Sequence, residues 1–255
     1  MIQETCRVTS VTLKTEEIFV VTFDSPRIAE SVLPGQFVNI RAWIGSDPLL
    51  RRPFSVYRVD GGSVSIVFNI VGKGTRLLSE LHAGDLVDVI GPLGIPFARE
   101  RHGYDLACLV GGGLGVAPLP ILTAYLRTLK KEVVTYLGAR TKRFLIEQYL
   151  ENVSLATDDG TAGFHGTVVD LVARDLPRWE GRKIRFFGCG PNPMLRALGM
   201  LAVSRNIPCE ISLEGPMGCG FGICQGCPVP RSGEEGGFFL MCREGPVFDP
   251  REVKV

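Results

Sequence analysis

The sequence predicts a β-barrel, then an α/β nucleotide-binding domain, then a small cysteine-rich lobe. Three observations predict it. Up to about residue 98 the chain reads as short strands separated by turn residues. From Asp105 a near-continuous apolar run leads into a glycine-rich loop and a helical pattern, as expected of a strand buried on both faces of a parallel sheet. Near the C-terminus, Cys219, Cys224, Cys227 and Cys242 follow the spacing C-x4-C-x2-C-x14-C.

The barrel comes first. Strands are expected at 7–13, 18–23, 36–41, 54–59, 63–69 and 86–90, with turn signals at Pro34-Gly35, Asp60-Gly61-Gly62, Gly84-Asp85 and 91–94. Short strands at such spacing favour a closed antiparallel barrel. One short helix is expected at 75–81. Two segments can carry chemistry. In Arg52-Pro53-Phe54-Ser55 an arginine can clamp a phosphate, and Ser55 shares a face with Pro53; an ordinary surface turn is the plainer reading. In Val71-Gly72-Lys73-Gly74-Thr75-Arg76, glycines before a helix can make an anion site; a glycine turn with Thr75 as N-cap is the alternative. Together in one barrel they suggest a phosphate-bearing cofactor.

In the α/β part, 105–110 is the buried strand and Gly111, Gly112, Gly113 and Gly115 form the loop, where glycines let the backbone approach a pyrophosphate. Leu119, Ile121, Leu122, Tyr125, Leu126 and Leu129 recur at helical spacing, with Pro118 in the first turn. The match to G-x-G-x-x-G is incomplete, since Val116 holds the last glycine's place. No acidic residue follows the next strand, 133–137. A smaller nucleotide-binding domain than the two-half dinucleotide fold is therefore expected. Arg140, Lys142 and Arg143 read as a phosphate contact or as a solvated basic face. Gly188-Cys189-Gly190-Pro191 sits at the C-terminal end of a strand at 184–187, where Cys189 either faces a reacting ring or packs as a small apolar residue. A last strand is expected at 207–213.

The four cysteines match the plant-type pattern in which thiolates hold a 2Fe–2S cluster. Gly218, Gly220, Gly222 and Gly226 allow the tight curl that such a loop requires. A structural zinc site would normally show two close Cys pairs or Cys/His mixtures, and disulfides would require an oxidising compartment. Cys6, Cys108, Cys189 and Cys209 are scattered and read as free buried thiols.

Composition bounds the rest. The 255 residues suffice for two domains, and a net charge of +1 gives no nucleic-acid or polybasic membrane footprint. No secretory signal and no membrane-length apolar run is visible, so a cytoplasmic location is expected; Asn152-Val-Ser154 is then an idle sequon.

Arg52-Pro-Phe-Ser55, Gly72-Lys-Gly-Thr75, the loop 111–118, Cys189-Gly-Pro191 and the cysteine loop occur in the order of one family. The chain resembles the electron-transfer subunits of two-component, NAD-dependent bacterial dihydroorotate dehydrogenases, within the ferredoxin reductase superfamily. The resemblance covers essentially the whole chain. It implies a six-stranded Greek-key FAD barrel (1–100), an NAD-binding α/β domain (101–212) and a 2Fe–2S lobe (213–255). By motif, Arg52, Pro53, Phe54 and Ser55 would hold the flavin ring and phosphate. Val67, Phe68 and Asn69 would line the FAD, Gly74 and Thr75 would bind its pyrophosphate, and Cys219, Cys224, Cys227 and Cys242 would ligate iron. Electrons would pass between NAD(H) and a catalytic flavoprotein partner in a heterotetramer, serving dihydroorotate oxidation in pyrimidine biosynthesis. Phe221, Ile223 and Pro228–Pro230 would offer that partner an apolar surface, or pack the cluster loop within the chain. Subunits of transhydrogenases, sulfide dehydrogenases and hydrogenases share the plan. A redox-sensing flavoprotein and a zinc-stabilised binding module are the readings from other classes. The approach Glu214-Gly-Pro-Met217 and the Gly/Glu-rich linker 228–241 depart from the family pattern.

Overall fold

A computed structural model describes residues 1–97, 102–233 and 236–255. The expected boundary at 100/101 and part of the 228–241 linker lie outside the described residues.

The first half closes into a barrel. Its elements are β1 (Ile2–Leu13), β2 (Ile18–Asp24), α1 (Pro26–Ser31), β3 (Phe37–Arg41), β4 (Arg52–Asp60), β5 (Ser63–Asn69), α2 (Lys73–Ser79) and β6 (Leu86–Leu93). The strand order β1-β2-β5-β4-β3-β6, closed by antiparallel pairing of β6 with β1, is a six-stranded Greek key. Alternate apolar residues such as Val8, Phe23, Ile40, Ile66 and Val89 fill the interior. The strand at 63–69 falls where the sequence puts it. Strand β4 begins two residues earlier than expected, so Arg52 and Pro53 are ladder residues, paired with Ile40 and Asn39. Helix α1 is not apparent from apolar spacing, because only Ile28 of its six residues is buried.

The second half is a seven-stranded sheet flanked by helices. Its elements are β7 (Leu106–Gly112), α3 (Leu119–Thr128), β8 (Glu132–Ala139), β9 (Val153–Thr157), β10 (Phe164–His165), α4 (Val168–Asp175), β11 (Ile184–Cys189), α5 (Asn192–Ser204) and β12 (Cys209–Ser212). The order is β10-β9-β8-β7-β11-β12, all parallel, and every residue of β7 is buried, as its unbroken apolar run predicts. Strand β12 is not the last. The chain continues through β13 (Pro228–Pro230), β14 (Phe238–Leu240) and α6 (Met241–Glu244), then returns as β15 (Val247–Phe248), which pairs antiparallel with β12 at the sheet edge. Residues assigned by sequence to a separate lobe thus complete the sheet. No helix among the described residues is long and apolar enough to cross a membrane.

One apolar cluster joins Phe37 and Leu93 of the barrel, Phe186 and Ile211 of the sheet, and Cys227, Met241 and Cys242 of the cysteine segment. A second joins Val20, Tyr57 and Val67 on the barrel's outer face to Leu109 of the sheet, Val116 of the turn after β7 and Leu122 of α3.

Candidate redox site

The β4–β5 ladder runs from Asp60↔Ser63 to Val56↔Ile66 and stops there. Beyond that point Arg52–Ser55 stay paired with β3, and Val67–Asn69 stay paired with β2. The two stretches therefore flank a fork in the barrel wall, with neighbouring strand edges that no ladder joins. Phe54 and Phe68 pack on its inner side, against the barrel core, ring centroids 5.4 Å apart. Phe68 points into the barrel core while Val67 faces the other way, so Phe68 can offer a ligand its backbone but not its ring.

Arg52 and Gly74, read as separate motifs, lie together. A Cβ on Gly74 would come within 2.9 Å of Arg52 Nε and 3.3 Å of Trp43. Arg52 donates to the Leu50 carbonyl at 2.6 Å, and its guanidinium lies 5.9 Å from the Trp43 ring centroid. Its neighbours' charges are taken, Arg51 by Asp88 and Lys73 by Asp47, but no carboxylate pairs with Arg52 among the described residues. A cation without a counter-ion beside a crowded glycine fits a phosphate. Thr75 is not the N-cap of the glycine-turn alternative, although its hydroxyl accepts from the N–H of the N-cap residue Gly72. It is the third residue of α2, and its hydroxyl accepts from Val71 N (2.9 Å) and Gly72 N (3.1 Å) and donates to Gly72 O (3.0 Å). Those contacts fix the turn, so the Thr75 hydroxyl is already committed.

Of the four glycines expected in a loop, Gly111 and Gly112 are the last residues of β7, paired with Leu137 and Gly138, and only Gly113 and Gly115 lie in the turn that follows; three of the four serve packing. A Cβ on Gly111 would meet Leu119 and Leu137, one on Gly112 would meet Met194 and Pro191, and one on Gly115 would stand 2.2 Å from the Cys189 carbonyl oxygen. Only Gly113, at φ +55°, has open space around it. The expected backbone approach to pyrophosphate is therefore available at Gly113; at the others the space is filled by protein. Arg140, Lys142 and Arg143 are exposed beyond the end of β8, with Arg143 over the Phe144 ring at 4.8 Å. Asn152 donates its amide to the Val133 carbonyl at 2.8 Å, so the sequon's side chain is occupied.

Cys189 sits at the carboxyl end of β11, opposite Gly111, and is fully buried. Burial, with Glu214 nearby, raises its thiol far above the ordinary range, while a hydrogen bond with Ser212 opposes the shift. The group stays a neutral thiol, 4.0 Å from Glu214 Oε1. Glu214, not singled out from sequence, has a solvent-reaching side chain, yet the protein crowded around it raises its carboxyl.

The four cysteines of the loop form two pairs. Cys219 and Cys224 face each other, each backbone N–H donating to the other's sulfur at 3.4 Å. Cys227 and Cys242 are buried with sulfurs 3.2 Å apart, and Cys242 N donates to Cys227 Sγ at 3.5 Å. Gly226 N also donates to Cys224 Sγ at 3.4 Å. No three His, Cys, Asp or Glu side chains among the described residues gather round one centre. Two pairs suit a binuclear cluster, whose two irons share four thiolates. The loop needs its glycines: Gly220 and Gly222 take φ +86° and +92°, and a Cβ on Gly218 would lie 3.0 Å from Cys224 Sγ. Burial resists ionisation of Cys219, but backbone donors at Cys224, Phe221 and Ile223 outweigh it and bring the thiol down to about 6. Burial and the adjacent Cys227 push Cys242 up to about 12. Bound iron would hold both as thiolates.

The residues expected to form an apolar docking face divide. Ile223, Pro228 and Pro230 are exposed, whereas Val229 is buried and Phe221 packs against the core. Phe238 adds a further exposed ring. Asn39 was not legible as a site residue. It is wholly buried on β3, and its Nδ2 donates to the Cys219 carbonyl at 2.9 Å.

Residues 214–254 match the family model described as the iron–sulfur cluster binding domain of dihydroorotate dehydrogenase B. Over 256 residues the chain is 39% identical to the dihydroorotate dehydrogenase B (NAD(+)) electron transfer subunit of Desulforamulus reducens, covering 97% of this chain and 96% of that relative. The corresponding subunit of Geobacillus kaustophilus is 40% identical over 261 residues, with 98% of each chain covered. Among solved structures, the NADH-dependent reduced ferredoxin–NADP oxidoreductase studied for flavin-based electron bifurcation superposes with a TM-score of 0.86 at 31% identity, over 98% of this chain and 89% of that one. The ferredoxin reductase of carbazole 1,9a-dioxygenase shares the fold, with a TM-score of 0.66 at 24% identity, over 81% of this chain and 67% of that one.

Proposed function

This chain belongs to the family of electron transfer subunits of NAD(+)-dependent dihydroorotate dehydrogenase B, and from that premise we propose how its residues divide the work. The subunit passes electrons between a catalytic partner and NAD(H), in the oxidation of dihydroorotate to orotate for pyrimidine biosynthesis. When bound, FAD supplies hydride exchange with the nicotinamide, and the 2Fe–2S cluster supplies one-electron transfer.

The fork flanked by Arg52–Ser55 and Val67–Asn69 holds the flavin, with Arg52 on a phosphate and Gly74 leaving room for the contact. The open position at Gly113, at the carboxyl end of β7, receives the nicotinamide nucleotide. Cys189 and Glu214 stand between that end of the sheet and the cysteine loop. Cys189 acts as a neutral wall, since its thiol keeps its proton. Cys219 and Cys224 hold one iron, Cys227 and Cys242 the other. The backbone donors at Cys219, Cys224, Gly226 and Cys242 tune the sulfurs. The catalytic partner covers exposed Cys224 and Ile223, giving a heterotetramer in the cytoplasm. The divisions 1–100, 101–212 and 213–255 describe these three tasks, although β15 of the third completes the sheet of the second.

The observation that carries this reading is the two-by-two pairing of the cysteine sulfurs. Its test is metal and sulfide analysis of anaerobically purified chain, followed by reconstitution with the catalytic partner. Two irons and two sulfides per chain, with NAD(+)-linked orotate formation that needs this subunit, are expected. Zinc in place of iron, or orotate formation coupled to NAD(+) without the subunit, overturns it. The close superposition on the NADH-dependent ferredoxin–NADP oxidoreductase chain favours one second reading, the same relay serving a different partner. Electron delivery to ferredoxin, with none to or from a dihydroorotate oxidase, would select it.

A further inference from the structure

A side-chain hydrogen bond that spans 180 positions of sequence, from Asn39 Nδ2 to the carbonyl of Cys219, ties the barrel to the cysteine segment. The amide can face only one way, because turning it over would set Oδ1 against that carbonyl, two acceptors together. The adjoining Gly220 is equally constrained. It is left-handed, and a Cβ there would stand 2.7 Å from Asn39 Nδ2. On the ladder, Asn39 lies opposite Pro53, and Phe37 lies opposite Ser55. Strand alternation places these residues on the barrel's outer face, while Val38 and Ile40 fill its interior. Asn39 Oδ1 is buried and has no hydrogen-bond partner among the described residues. An apolar side chain of the same size would fill this position without stranding an acceptor. What only the amide supplies is the donor to Cys219.

We infer that Asn39 is a positioning residue for the first cluster ligand. It ties the Cys219 backbone to the strand beside Arg52–Ser55, and so fixes where the cluster sits relative to the flavin site. The inference rests on reading Cys219 as an iron ligand and Arg52–Ser55 as flavin-binding. Holding a ligand's backbone constrains both its geometry and the electron path, and loss of such a contact typically costs about ten- to a hundredfold in metal affinity or activity.

The test uses the full chain, purified anaerobically with its cofactors, as Asn39→Leu and Asn39→Asp. Leucine removes the donor at similar volume; aspartate sets a carboxylate against the carbonyl. Iron and FAD contents are measured first. Then come the electron paramagnetic resonance spectrum of the reduced cluster, its midpoint potential, and the rate of cluster reduction after NADH has bleached the flavin. Expected are retained FAD, shifted g-values, a shifted midpoint potential and cluster reduction slowed about tenfold or more. Loss of iron from a chain that keeps its FAD supports the proposal equally. Should aspartate prevent folding, leucine carries the same readouts. Unchanged g-values, potential and transfer rate in a variant loaded with iron and FAD overturn this proposal alone. An unsubstituted chain that holds zinc or no iron overturns the cluster reading, and this proposal with it.

Discussion

The sulfur of Cys227 lies 3.2 Å from that of Cys242, fifteen positions further on, and both residues are buried beside Met241 and Val229. The Cys219–Cys224 pair, by contrast, lies toward solvent. Serine at position 227 or 242 should therefore abolish the iron–sulfur absorption, because it removes a ligand from an enclosed pair that water cannot readily replace. Cys224→Ser should lower iron content less completely. Flavin bleaching by NADH should survive in all three. Iron analysis and visible spectra check the first part and stopped-flow the second. Joint loss of both activities with the fold intact would contradict the division of labour.

Arg52 has no carboxylate partner among the described residues and sits against Gly74. Arg52→Ala should weaken FAD binding by roughly 2 kcal/mol, or about thirtyfold in Kd, as a charge-assisted phosphate contact would require. Flavin content after gel filtration and an FAD titration read this out. Full flavin occupancy at low added FAD would take Arg52 out of the site.

Two glycines of one loop should respond oppositely in kind. Gly115→Ala drives a Cβ into the Cys189 carbonyl at 2.2 Å, backbone against backbone, and should cost about 3 kcal/mol or prevent folding. Gly113→Ala meets no atom within 4 Å but must hold φ +55°, which should cost about 1–2 kcal/mol and leave the chain folded. Thermal unfolding measures both. In the folded Gly113→Ala protein, a raised Kd for NADH is expected if the nucleotide approaches here.

Asp88 carries the acid dependence of the barrel seam. Burial alone would raise its carboxyl, but hydrogen bonds from Arg51 and Gln3 and the charges of Arg51 and Arg41 outweigh it and bring it below the ordinary carboxylate range. A carboxyl whose folded value is depressed stabilises the fold above its unfolded value and loses that contribution as pH falls through the folded one. Asp88→Asn should thus cost about 1 kcal/mol at neutral pH, and the gap from the unsubstituted chain should close in acid. Urea midpoints across that range decide it; a gap that widens in acid would refute the assignment.

Legibility followed the range of the interactions. The strand at 63–69, the buried run of β7 and the spacing of the four cysteines are local signals, and each stands where the sequence puts it. The fork between β4 and β5 is not local. It arises where a ladder stops, which no alternation pattern records. Asn39 reads as one polar residue in an apolar strand until Cys219 is brought to it. Strand β9 is short and only partly buried, and α4 is capped by Thr167, which accepts from Asp170 N at 3.2 Å and donates to Asp170 Oδ2 at 2.7 Å. The pair Thr167-x-x-Asp170 is a start signal that could have found that helix. The return of the chain as β15 is hidden for a different reason: two residues of strand are too few to show a period.

That return has a consequence for how the protein could be taken apart. Leu213 N donates to Pro246 O at 2.9 Å, and Ser212 pairs with Val247, so the chain leaves and rejoins the sheet edge at one stem, while Pro230 and Ser232 also bond to the C-terminal residues Lys254 and Glu252. Chain ends already touching can be spliced by a short turn at little entropic cost. The metal-bearing excursion is thus simple in connectivity and not in packing: excising it would close the chain neatly, yet strip Cys227, Val229, Met241 and Cys242 from the core they share with Phe37, Leu93, Phe186 and Ile211, leaving barrel and sheet with an exposed apolar scar.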